Sequence, residues 1–109
     1  MKNLVAIDGT LDAVEGIHVR ALEKGRRARR EEIIISRRDM VREFVECSNP
    51  LCQGGGFSLG DLLRDMIRGG QTEFVGTSFC AGQEGDLEKP ETLHTCQTRF
   101  EVLASLRYR

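Results

Sequence analysis

Tryptophan is absent from this chain of 109 residues, and its aromatics are five phenylalanines and one tyrosine. Large rings supply much of a small core's buried area, so an interior with so few of them is lean and gains from a staple. Charge of one sign is lacking as well: 16 basic against 17 acidic residues leave a formal net charge of -1. That balance removes any overall electrostatic pull toward nucleic acid or membranes. No apolar run approaches the roughly 18 residues that a membrane span needs. The opening MKNLVAIDGT reaches Asp8 too soon, and its apolar run is too short, for a secretory signal. These absences predict a cytoplasmic protein with no membrane partner, built as one domain or one domain plus an appendage.

In a reducing compartment the four cysteines read as thiols or metal ligands before disulfides. Cys47 and Cys52 enclose Asn49-Pro50, a turn signal that doubles the chain back between the two sulfurs. Gly54, Gly55 and Gly56 follow, and then Ser58 and Asp61 offer the S-x-x-D start of a helix. Leu59, Leu62, Leu63, Met66 and Ile67 share one face of that helix, Asp61, Arg64, Asp65 and Arg68 the other, and Gly69-Gly70 ends it. A core helix with a solvated outer face accounts for this pattern. Gly60 is expected to weaken its first turn.

Upstream, Leu4 to Asp8 reads as a short strand and Thr10 as the opening of a helix, with Leu11, Val14, Ile17, Ala21 and Leu22 at helical spacing around Gly16. His18 flanks that stripe and receives no role. Arg20, Lys24, Arg26, Arg27, Arg29 and Arg30 then face Glu23 alone. Such a run can hold phosphates, yet Glu31 and Glu32 follow and no aromatic is interleaved to stack on bases, which favours a solvated segment. Ile33, Ile34 and Ile35 read as a buried strand. Between Ser36 and Glu46, periodicity favours a short helix carrying Met40, Val41, Phe44 and Val45, while a strand leading into Cys47 stays open.

Beyond Gly70 the pattern turns to β. Thr72 to Phe79 is rich in strand formers and runs into the bend Cys80-Ala81-Gly82. Gln83 to Thr92 reads as a polar, acidic surface loop. Thr98 to Tyr108 alternates, with Phe100, Val102, Ala104, Leu106 and Tyr108 on one face, and is expected to pair antiparallel with Thr72 to Phe79.

Each cysteine thus falls at a junction between elements, where separate segments can converge. The spacing is C-x4-C, then 27 residues to Cys80 and 15 more to Cys96. Zinc favours four tetrahedral ligands, and thiolates suit its borderline-soft character while neutralising its charge. Cys47, Cys52, Cys80 and Cys96 are therefore candidate ligands of a structural zinc, with His94 as a substitute for one of them. Ordinary buried thiols, or disulfides in any of three pairings, remain the alternatives. On these residues, Cys47 to Tyr108 resembles a zinc-ribbon or related four-cysteine zinc-binding module, although the usual knuckle is C-x2-C. That resemblance implies hairpins and turns presenting the four thiolates.

The expected class is α+β: a small antiparallel sheet with a central amphipathic helix, a zinc-ribbon-like C-terminal part and a helical N-terminal segment. The expected organisation is a helical, basic segment over residues 1–32 and a four-cysteine domain over 33–109. The expected function is a zinc-stabilised interaction module whose partner is a protein or a second copy, with nucleic acid as the other partner through Arg26, Arg27, Arg29 and Arg30. The alternative is a thiol-dependent enzyme without structural metal. It lacks a C-x-x-C at a helix start and has only His18 and His94 as bases. Asp61 and Asp65 are explained by helix surface charge, and Gly54 to Gly56 lack the lysine of a phosphate loop. No catalytic residue is assigned.

Overall fold

The computed structural model describes residues 10–85 and 88–109. The expected strand over Leu4 to Asp8 lies outside them. A 3-10 turn, Thr10–Ala13, runs straight into strand β1, Val14–Lys24, and β1 turns back into β2, Glu32–Ile35. Three two-residue strands follow, β3 (Val45–Glu46), β4 (Cys52–Gln53) and β5 (Gly56–Phe57), before helix α1, Leu59–Arg68. The chain then forms β6 (Glu73–Phe79), β7 (Gln83–Glu84), β8 (His94–Thr95) and β9 (Arg99–Tyr108).

The main sheet has four antiparallel strands in the order β2-β1-β9-β6. β3 pairs with β5, and β4, β7 and β8 form a three-stranded patch. One face of the main sheet is buried. Val14, Ile17, Val19 and Ala21 of β1 and Phe100, Val102, Ala104 and Leu106 of β9 enter a single apolar cluster with Leu59, Leu63 and Met66 of α1. The Phe57 and Phe100 rings meet within it at a centroid distance of 4.8 Å.

This corrects the expected α+β class. The described residues are mostly β, with one ten-residue helix and no helix near the N-terminus. The helical spacing of Leu11, Val14 and Ile17 has a different origin. The β1–β9 register shifts between Val14 and Gly16, a bulge that adds one residue to β1 and moves its buried positions out of phase. Val14 and Ile17 therefore both face the core three residues apart, and beyond the bulge the period of two resumes through Val19, Ala21 and Glu23. Gly16 belongs to that bulge. A β carbon on it would lie 2.8 Å from the Arg107 guanidinium, which packs across the strand and pairs with Glu15.

The helix expected between Ser36 and Glu46 is likewise not formed. One 3-10 turn, Arg38–Met40, is followed by extended chain that pairs Val45 with Phe57 and Glu46 with Gly56. The strand reading of the approach to Cys47 is the one observed. β2 occupies Glu32–Ile35, but only Ile35 is buried, because an edge strand of a one-sided sheet turns alternate residues outward. The strands expected at both ends of the C-terminal half are present in the expected antiparallel pairing.

Helix α1 matches its sequence signals. The Ser58 hydroxyl accepts from the Asp61 amide at 3.2 Å. At the other end Gly70 takes φ +65°, and the Gly70 and Gln71 amides donate to the Ile67 and Met66 carbonyls, a Schellman closure. Gly60, in the first turn, leaves room for a neighbouring side chain. The Glu43 carboxylate occupies the space of its missing side chain and pairs with Arg64.

Candidate metal centre

The four cysteines meet where the main sheet ends. Cys47 leaves β3, Cys52 opens β4, Cys80 follows β6 directly, and Cys96 lies between β8 and β9. Backbone bonds fix these junctions to one another. Cys47 N–H donates to the Gly55 carbonyl at 2.9 Å, Cys52 N–H to Asn49 at 3.0 Å, Cys80 N–H to Thr98 at 3.0 Å and Cys96 N–H to Gly82 at 3.0 Å. All four Sγ atoms lie within 4.8 Å of one another. Cys47 and Cys96 are 3.8 Å apart and Cys52 and Cys80 3.5 Å. A sulfur tetrahedron drawn at 2.3 Å around a central ion has edges of about 3.8 Å. A disulfide requires about 2.05 Å, so these are four free thiols.

Glycine makes the convergence possible. A β carbon on Gly55 would overlap the sulfurs of Cys52 and Cys80, and one on Gly82 would lie 2.6 Å from Cys52 Sγ and 2.6 Å from Gly55 Cα. The two glycine backbones pack face to face behind the sulfurs. Gly82 N–H also points at Cys80 Sγ, 3.4 Å away.

Burial and crowding shape the thiols. Burial, then the neighbouring thiols Cys80 and Cys96, pushes Cys52 well above the usual thiol range. Burial also pushes Cys80 up, against the pull of the Gly82 amide. Cys96 moves the other way. Burial opposes its ionisation, but hydrogen bonds from Thr98 and Asn49 outweigh it and bring the group down to about 7. Sulfurs this close cannot all ionise without a cation among them, because each thiolate raises the cost of the next.

Around the sulfurs lies a buried polar shell that local sequence did not announce. The Asn49 amide donates to Glu84 at 2.6 Å and reaches Cys96 Sγ at 3.5 Å, while its carbonyl oxygen accepts from the Leu51 amide. Glu84, expected on a surface loop, is 3% exposed. Asn49 first, and His94 after it, hold its carboxyl below the usual range. His94 stands outside the group of four, with Nε2 2.9 Å from Glu84 and Nδ1 3.1 Å from the Thr92 carbonyl. Both ring nitrogens face acceptors, and the Thr92 carbonyl and Glu84 favour the protonated ring.

Part of the arginine run folds onto this shell. Arg27 lies 3.6 Å from Glu84, Arg29 N–H donates to Ser48 Oγ at 2.8 Å, and Arg30 donates to Glu23 at 2.8 Å. The Glu23 carboxylate is fully buried and also accepts from the Ser48 amide and hydroxyl, at 2.8 and 2.7 Å, one residue from Cys47. The lone acid of the basic stretch thus ties the β1–β2 hairpin to the first cysteine loop. Among protein-family models, curated proteins and solved structures, none matches this chain.

Proposed function

We propose that the protein is a small zinc-stabilised interaction module in which Cys47, Cys52, Cys80 and Cys96 hold one structural zinc ion as thiolates. The observation that carries this reading is the convergence of four sulfurs to within 4.8 Å, with separations of 3.5 and 3.8 Å, from segments as much as 49 residues apart. Four protein ligands complete a tetrahedron and leave no position for a reacting water, which supports a structural ion over a catalytic one. The donors aimed at sulfur from Asn49 and Gly82 are those expected around thiolates. A reducing, cytoplasmic setting keeps such thiols available to metal. No described helix is long and apolar enough to cross a membrane.

For the partner, the arginines favour protein over nucleic acid. Arg27 and Arg30 are engaged with Glu84 and Glu23, which leaves the Arg26 and Arg29 side chains without an ion pair among the described residues. Two of the four candidate arginines are a small footprint for phosphate binding.

The test is native mass spectrometry with elemental analysis, followed by thermal melts with and without chelator. One zinc per chain, with loss of the cooperative transition on chelation, is the expected result; structural zinc contributes on the order of 10 kcal/mol to small domains. Iron in place of zinc would show as a coloured protein and correct the metal while keeping the site. Metal-free protein with an unchanged melt and fast-reacting thiols would overturn the reading in favour of thiol chemistry.

A further inference from the structure

β6 ends the strand order of the main sheet, and no other described strand pairs with its outer edge. Its sequence, EFVGTSF, contains no proline, lysine or arginine. Edge strands with this composition and length pair readily with another strand, and natural proteins blunt such edges with charge, proline or a bulge. The opposite edge, β2, is blunted: it is four residues long and carries the Arg20–Glu32 ion pair. β6 instead exposes Val75 at 77% and Phe79 at 74%, the highest values among its large apolar side chains. Leu103, opposite Val75 on β9, extends the same patch at 43%.

The geometry points to a second copy of this chain as the occupant of that edge, with two β6 strands paired antiparallel about Gly76 so that the two sheets become one. The inference specifies the partner of the interaction module and does not depend on the metal. Charge decides for a copy and for this register. β6 has an acidic end, Glu73, and its other end, Phe79, faces Arg99 on β9, which in turn faces Lys24 on β1. Antiparallel pairing about Gly76 sets Glu73 of each copy opposite Phe79 of the other. The row across the joined sheets then reads Lys24, Arg99, Phe79 and the other copy's Glu73, all on the solvent face. Arg99 and that glutamate are two strand spacings apart, about 10 Å between backbones, a gap their long side chains bridge over the Phe79 ring. Among the described residues of the single chain, the ion pair of Arg99 is a loose one, 3.7 Å from Glu101. Val75 and Thr77 of the two copies stack into each other's register, which closes the apolar patch over the seam.

Sedimentation velocity on zinc-loaded protein, from micromolar to submillimolar concentration, reads the outcome. The expected result is a concentration-dependent particle of twice the chain mass. Glu73→Arg and Arg99→Glu each weaken the dimer by about tenfold or more, and the two together restore it to within about threefold of the parent. Val75→Lys abolishes it. Zinc content of the monomeric variants stays at the parent value, and so do their melts at concentrations where the parent is itself monomeric, so a failed metal centre is distinguishable from a failed interface. A particle of one chain mass at every concentration overturns the inference, as does a dimer that ignores the charge swaps or a double variant no better than either single. A monomer that binds a single-stranded oligonucleotide, and loses it with Phe79→Ala, would assign the patch to nucleic acid instead.

Discussion

Gly55 shows how little freedom the cysteine cluster leaves. Its own backbone angle is not what demands glycine; the sulfurs of Cys52 and Cys80 fill the volume a methyl group would take. Gly54, next to it, is the reverse case. There φ is +66° and nothing lies within 4 Å of where a β carbon would be. Alanine at the two positions therefore separates steric from conformational cost. Gly55→Ala has to push the Cys52 and Cys80 sulfurs apart and should weaken zinc binding at the proposed site by about 10- to 100-fold, the range seen when the surroundings of metal ligands are disturbed. Gly54→Ala should cost about 1 kcal/mol of stability for the left-handed backbone and leave zinc affinity unchanged. Competition with a chromophoric chelator and a urea titration on both variants check this. Equal zinc affinities for the two would mean that the sulfurs need not sit together.

Among the elements, β9 and α1 were readable because each carries one uninterrupted signal. β9 alternates over ten residues, and α1 is bounded by the Ser58 cap and the Gly69-Gly70 stop. β1 was misread because a single inserted residue at its bulge converts a spacing of two into a spacing of three, which helices also use. The Ser36 to Glu46 stretch failed for a non-local reason: its strand residues are held extended by pairing with Gly56 and Phe57. The four clustered cysteines were legible as junction residues, but Asn49 was legible only as a turn former. Its partner Glu84 is 35 residues away, and no local pattern links them. The join between the two readable elements is itself testable. The Tyr108 hydroxyl, at the end of β9, donates at 2.5 Å to the Gln71 carbonyl just past α1 and lies 3.4 Å from the Met66 carbonyl inside it. Tyr108→Phe should cost about 1 kcal/mol and lower the melting temperature by about 5 °C, with zinc content unaltered. A melt identical to the parent would show that the helix end is held by its Schellman closure alone.

Across the molecule, the proposed ion stands where four separate stretches of chain converge beside a core with few aromatic rings. Folding and metal binding are then one equilibrium, and pH acts on it through the thiols. Without a cation, burial keeps Cys52 and Cys80 protonated at neutral pH, since both are raised above the ordinary thiol value. Zinc has to displace those two protons and any still on the other two sulfurs, so each added unit of pH should strengthen binding by at least about 100-fold near neutrality. Cys96, held at about 7, has already lost its proton above that pH and adds one more only below it. The dependence should therefore steepen as the solution is acidified, because protons then compete at one more sulfur. Zinc dissociation constants measured from pH 6 to pH 8, with proton release followed in a weak buffer, test both the slope and its change. A flat profile would mean that the metal is not held by these thiols, since no thiolate site of this burial can take up an ion without surrendering protons.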